Sequence, residues 1–131
     1  MEHEGGCHCG GVRYRVTGKP EHVSVCHCSD CRKSAGAPFV SWAAFRTADF
    51  KVEGNPVSYN SSANAYRHFC ARCGTGIYYM NEHILPGLVD IQTATLDNPD
   101  ALEPQLQVQT VEQIKWTHGL EALPKFERYP G

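Results

Sequence analysis

Apolar and polar positions alternate along most of this chain with a period of two, and no segment sustains a 3.6-residue period. The alternating runs, rich in β-branched and aromatic residues, predict strands at Gly11–Thr17, His22–Cys26, Phe39–Phe45, Phe50–Val52, Ala65–Phe69, Ile77–Met80 and Leu88–Thr95. Turn signals separate them: Gly18-Lys19-Pro20, Gly54-Asn55-Pro56, Pro86-Gly87 and Asn98-Pro99. Two short helical turns are predicted. One covers Asp30–Ser34, capped by Ser29 or Asp30 and stopped by Gly36; the other covers Pro99–Leu102 after an Asn98 cap. The expectation is a mainly β protein whose loops carry its chemistry.

Length and composition narrow this picture. The chain has 131 residues, 41% of them apolar, which fits one globular domain over 1–131. No run approaches the ~18 apolar residues of a membrane helix. The start, MEHEGGCHC, has neither a basic n-region nor an apolar h-region, so no membrane association is expected and the compartment expected is the cytoplasm. Twelve basic residues stand against fourteen acidic ones, for a net charge of −2. No basic run exceeds Arg32-Lys33, which argues against a nucleic-acid partner.

The cysteines change the picture most. All seven fall in three tight groups: Cys7-His8-Cys9, Cys26-His27-Cys28-Ser29-Asp30-Cys31 and Cys70-Ala71-Arg72-Cys73. An odd count without an export signal argues against a disulfide framework. Cysteines one or three apart can turn two sulfurs toward one point, as a tetrahedral zinc requires. Zinc is therefore the metal expected, with an iron–sulfur cluster as the alternative. Two partitions of the sulfurs are open. Cys7, Cys9, Cys70 and Cys73 can close a four-cysteine site, leaving Cys26, Cys28 and Cys31 as a three-ligand unit. Alternatively Cys28, Cys31, Cys70 and Cys73 form a ribbon-like site, leaving Cys7, Cys9 and Cys26 spare. The ribbon gap is longer than the usual ~15–20 residues and strands three thiols, which favours the first.

The remaining candidates read more modestly. His8 and His27 lie between cysteines and point away from a metal in an extended knuckle. His68 reads as a strand histidine, and His3, His22, His83 and His118 as surface residues. Phe39, Trp42, Phe45, Tyr78, Tyr79 and Trp116 read as core or sheet-face aromatics. Arg32 and Lys33 are either a solvated pair or an anion site beside the metal, suited to a carboxylate of a peptide thiol.

Three stretches together resemble one family. Gly6-Cys7-His8-Cys9-Gly10-Gly11-Val12-Arg13-Tyr14, then Cys26 through Ala37, then Phe69-Cys70-Ala71-Arg72-Cys73-Gly74-Thr75 are similar to the glutathione-dependent formaldehyde-activating enzymes. Thr95-Leu96-Asp97-Asn98-Pro99 resembles the same family's Leu-Asp-Asp/Asn-Pro stretch, and the likeness runs over about residues 5–117. The resemblance implies a β-tent of stacked antiparallel sheets stapled by zinc. It implies two zinc ions per chain: a structural one on Cys7, Cys9, Cys70 and Cys73, and a catalytic one on Cys26, Cys28 and Cys31. The chain departs from the family at Gln107–Gln113, where members often carry His-Ile-Trp/Phe followed by Ser-Arg.

A three-thiolate zinc favours soft, thiol chemistry at its fourth position, because the site is formally anionic and a coordinating thiol is deprotonated there. The function expected is thus a zinc-dependent carbon–sulfur lyase. Its substrate would be the adduct of a small thiol, glutathione by the resemblance, with an aldehyde, formaldehyde by the same resemblance. The alternatives are a non-catalytic zinc-binding module and a metal or redox buffer, either with the second zinc closed by a protein or partner ligand.

Overall fold

The computed structural model describes residues 1–131. Ten strands form two sheets. The small one, ordered β1-β2-β5, comprises β1 (Glu2–Gly6), β2 (Arg13–Thr17) and β5 (Phe50–Glu53). The large one is ordered β10-β3-β4-β9-β8-β7-β6. It comprises β3 (His22–Cys26), β4 (Val40–Arg46), β6 (Val57–Ser62), β7 (Ala65–Phe69), β8 (Gly76–Met80), β9 (Leu88–Gln92) and β10 (Leu106–Val108). Every pairing is antiparallel except β10 on β3, which is parallel. The protein is mainly β, as its alternation predicts, and no helix is long and apolar enough to cross a membrane.

Directly paired residues share a face, so the register sorts the large sheet into two surfaces. Val23 pairs with Ala43, Ala43 with Ile91, Ile91 with Tyr78, and Phe45 with Val89. These residues face the small sheet and, with Val16 and Ile77, form the core between the layers. The opposite surface carries a transverse row: His22, Ala44, Asp90, Tyr79, Arg67 and Tyr59, each paired with the next. A single α-helix, α1 (Ser29–Ala35), lies over that surface and packs Cys31 with Cys26, Val40 and Trp42.

The two sheets meet at one seam. Gly5 bridges to Leu96, the Asp97 N–H donates to the Glu4 carbonyl (2.9 Å), and the Tyr14 hydroxyl meets Thr95 Oγ1 at 2.7 Å. Gly5 has to be glycine here, since a Cβ would stand 2.5 Å from both the Thr95 carbonyl oxygen and the Tyr14 hydroxyl.

Several local expectations are corrected. The cap of α1 is Cys28 rather than Ser29 or Asp30: its sulfur accepts from the Cys31 N–H at 3.3 Å, while Gly36 ends the helix in the left-handed region as expected. Pro99–Leu102 makes one hydrogen-bonded turn, Ala101 N–H to the Asn98 carbonyl, and goes no further. Trp116 is 56% exposed, because the 3₁₀ turns of Lys115–Ala122 carry it away from the core. Strands β1, β6 and β10 add to the predicted set.

Candidate metal centres

Two knuckles of the same design face each other at one end of the sheet stack. In the first, the chain leaves β1, turns at Cys7–Gly11 and enters β2. The Gly10 N–H donates to the Cys7 carbonyl (3.1 Å), and Gly10 holds φ +81°, a left-handed value glycine takes without strain. The second joins β7 to β8. There the Gly74 N–H donates to the Cys70 carbonyl (2.8 Å), with Gly74 again at +81°. His8 N–H crosses between them to Thr75 Oγ1 at 3.1 Å.

These turns bring the sulfurs of Cys7, Cys9, Cys70 and Cys73 within 4.8 Å of one another. Cys7 and Cys9 stand 3.6 Å apart, and Cys9 and Cys70 3.7 Å. A zinc ion with bonds of about 2.3 Å sets its tetrahedral sulfurs about 3.8 Å apart, so the spacing fits. Donors surround the sulfurs: Val12 N–H reaches Cys7 (3.2 Å), Gly11 N–H reaches Cys9 (3.4 Å), and the Thr75 hydroxyl reaches Cys73 (3.2 Å). The Thr75 contacts hold the Cys73 thiol down at about 5, which favours the thiolate a metal needs.

The second cluster lies where β3 passes into α1. Cys26, Cys28 and Cys31 place three sulfurs within 4.8 Å of one another, and no fourth Cys, His, Asp or Glu joins the group. Cys26 and Cys31 are 3.7 Å apart, again the spacing of a tetrahedral edge. The Cys31 contact pulls the Cys26 thiol down, and the same contact, together with burial, pushes Cys31 up. Two sulfurs thus compete for one proton, a conflict that a shared cation relieves. Both clusters therefore have donor sets that could hold a metal ion.

The surroundings of the two differ. Two cavities, of about 600 and 520 Å³, open on either side of Cys31 and share Asp30, Trp42 and Arg67 in their walls. Arg67 occupies the ridge between them. Its Nη1 and Nη2 donate to Cys31 Sγ at 3.7 and 3.8 Å, its Nε donates to Ser61 Oγ (3.0 Å), and its guanidinium lies 5.1 Å from the Tyr79 ring centroid. The run Ala65–Phe69 was readable as a strand, but that Arg67 reaches Cys31, 36 residues away, depends on β7 lying opposite α1.

Of the sequence candidates, Arg32 Nε donates to the His27 carbonyl (3.2 Å), while the exposed Lys33 lines the larger cavity. His27 is 2% exposed, with its ring against Phe39 at 5.6 Å. Its Nε2 donates to Gln107 Oε1 at 2.7 Å, and its backbone N–H to the Val108 carbonyl at 3.1 Å. The segment that departs from the family pattern is thus the one that clamps the residue between Cys26 and Cys28. His8 is exposed, and His68 is half-buried and stacked on Tyr78 at 4.2 Å.

Comparison with known proteins points the same way. Residues 2–112 match the family model described as glutathione-dependent formaldehyde-activating enzyme. An uncharacterised lyase of Schizosaccharomyces pombe is 28% identical over 116 residues, 78% of this chain and 85% of that protein. A Halomonas elongata protein, named provisionally as a glutathione-dependent formaldehyde-activating enzyme, is 31% identical over 108 residues, 72% of this chain and 66% of its own. A Rhodobacter sphaeroides protein of known crystal structure superposes with a TM-score of 0.61 at 24% identity. It covers 80% of this chain and 99% of its own, a likeness of fold.

Proposed function

The chain belongs to the glutathione-dependent formaldehyde-activating enzyme family, and from that premise we propose that it is a zinc-dependent carbon–sulfur lyase acting on the adduct of glutathione with formaldehyde. In this reading Cys7, Cys9, Cys70 and Cys73 hold a structural zinc, and Cys26, Cys28 and Cys31 hold a catalytic one. The observation that carries it is the contrast between a closed set of four sulfurs and a set of three at the wall of two cavities. Structural zinc sites are closed by four protein ligands, whereas catalytic sites keep a position for substrate. When bound at the three thiolates, zinc supplies a soft corner at which a thiol is held as thiolate at neutral pH.

The protein's own groups do the rest. With a divalent ion held by Cys26, Cys28 and Cys31, a substrate thiolate would bring the negative charge there to four, and Arg67, which donates two N–H groups to Cys31, is placed to offset the excess. Its engagement with Ser61 and Tyr79 fixes the guanidinium, so little freedom is lost when the site fills. Trp42 and Tyr79, 5.8 Å apart, wall the approach with apolar surface. In the forward reaction the thiolate sulfur attacks the formaldehyde carbon. A C–S bond forms, the carbonyl π pair moves to oxygen, and the proton given up by the thiol ends there. The reverse breaks the same bond, and no oxidant or reductant enters. Arg32 and Lys33 form an anion site beside the cluster, suited to a carboxylate of the thiol. Seven free thiols suit a reducing compartment, and we place the protein in the cytoplasm.

The test is exchange spectroscopy on formaldehyde and glutathione with protein carrying two zinc ions. Exchange between the free and adduct pools should accelerate with wild type and not with Cys28→Ser. Equal rates for the two would reject the lyase reading for this thiol.

A further inference from the structure

The smaller cavity runs from the three sulfurs along the sheet to a buried carboxylate that no other group pairs. Asp90 lies in β9 between Val89 and Ile91, both fully buried in the core, so strand alternation turns Asp90 to the cavity surface. It is 9% exposed, and its Oδ1 is buried with no hydrogen-bond partner. The groups around it are Ala44 on β4, Tyr79 on β8, and Ile84 and Leu85 in the following loop. The basic side chains in its row are His22, beyond Ala44, and Arg67, which lies beyond Tyr79 and is committed to Cys31 and Ser61. Neither forms an ion pair with it. Burial pushes its carboxyl up to about 6, against the pull of His22. A buried carboxylate with an unmet oxygen is costly, and an incoming cation that donates to it removes the cost.

The distance from the sulfurs sets the kind of cation. His22 shares the row of Asp90 and lies four residues from Cys26 along β3, roughly 13 Å at about 3.3 Å per residue, and β9 lies two strands from β3, roughly 10 Å across the sheet. That span excludes a two-carbon aminothiol and calls for a thiol of peptide size, since each extended residue adds only about 3.3–3.6 Å. We propose that Asp90 is the recognition site for a primary ammonium carried at the far end of a peptide-sized thiol whose sulfur sits at Cys26, Cys28 and Cys31. The inference rests on the thiol reading above and adds what that reading leaves open: which end of the substrate the protein reads.

Calorimetry on the two-zinc protein tests it with three probes: glutathione, its desamino analogue, and 2-mercaptoethanol, which has no ammonium and reports sulfur binding alone. Wild type should bind glutathione at least tenfold more tightly than the desamino analogue. Asp90→Asn should bring that ratio to near one, and Asp90→Glu should keep part of it, with zinc content and far-ultraviolet circular dichroism unchanged in both. A ratio that survives Asp90→Asn, or is near one in wild type, overturns the subsite while mercaptoethanol binding leaves the thiol reading standing. If Asp90→Asn weakens all three probes equally, Asp90 does not read the ammonium and the inference also falls. If wild type binds none of them, mercaptoethanol included, the thiol reading fails and takes the subsite with it.

Discussion

The four-sulfur and three-sulfur clusters are made from similar short spacings and differ in what they join. The first draws sulfurs from two turns that lie on different sheets, Cys7–Gly11 on the small one and Cys70–Gly74 on the large one. Backbone and hydroxyl donors from Val12, Gly11 and Thr75 dress it, and no charged side chain touches its sulfurs. The second draws all its sulfurs from six consecutive residues, is dressed by one cation, Arg67, and stands between two cavities. A cluster that ties distant parts of a chain contributes to folding, whereas a cluster made locally can be lost without undoing the fold. In the proposed division of labour, the position of the ligands in the topology, more than their identity, separates the two clusters.

The sharpest way to break this comparison is to remove one sulfur from each cluster. Cys9→Ser or Cys70→Ser should abolish cooperative folding, seen as lost soluble yield and a disordered circular-dichroism spectrum, since structural zinc supplies folding energy outright. Cys28→Ser should remain folded and carry one zinc per chain by elemental analysis. If both classes of variant behave alike, the division of labour is wrong.

Next in size is the pH dependence contributed by Asp90. Its carboxyl is raised from 3.8 to about 6 in the folded protein, so its contribution to stability is fully present below about pH 4 and is lost as pH rises through 6. Asp90→Asn should therefore be more stable than wild type at pH 7, by up to about 3 kcal/mol from a shift of roughly two units. It should also show a flatter stability profile between pH 4 and 6. Urea titrations at those pH values measure it, and parallel profiles would contradict the burial argument.

A smaller effect is expected at Arg67. Arg67→Gln should weaken thiol binding about tenfold, or about 1.4 kcal/mol, in calorimetry, while two zinc ions stay bound. Arg67→Lys should recover part of the loss. A variant that binds thiol normally would remove Arg67 from the site.

The smallest effect concerns the seam. Arg13 donates to both carboxylate oxygens of Asp97, at 2.9 and 2.5 Å, on an exposed surface. The guanidinium beside it holds the Asp97 carboxyl below its usual range, so this contribution is present at neutral pH and fades as pH falls through the carboxylate range. Arg13→Ala should lower Tm slightly, and added salt should erase the difference. A loss that salt does not touch would point to packing instead.

Much of this was legible in the sequence where the signal is local. His22–Cys26 and Ala65–Phe69 are strands at the predicted bounds, because each alternates and ends at a turn or a cysteine knuckle. The cysteine groups announced themselves by spacing. What was missed depends on distant pairing. Glu2–Gly6 lacks any apolar alternation and is a strand because β2 pairs with it. Val57–Ser62 is almost wholly exposed, as an edge strand can be, and so shows no buried face. Leu106–Val108 is held by a parallel pairing some 80 residues away, which leaves no local mark. Asp90 did leave one: a lone charge between Val89 and Ile91 in an apolar strand must face away from the core.

The tie between the two knuckles also bears on how much of this protein a cell can keep. Cys9 and Cys70 are 61 residues apart, and β2 through β7 lie in the loop they close. An ion held by the folded chain and released on unfolding stabilises it by mass action, about 2.7 kcal/mol at a free concentration of 100 times its Kd, a large share of a typical stability of ~5–15 kcal/mol. If a zinc ion closes that loop, as proposed above, the folded fraction is set by metal supply as well as by the sequence. Under zinc scarcity its steady-state level should fall through proteolysis of the open form, before any question of catalysis arises.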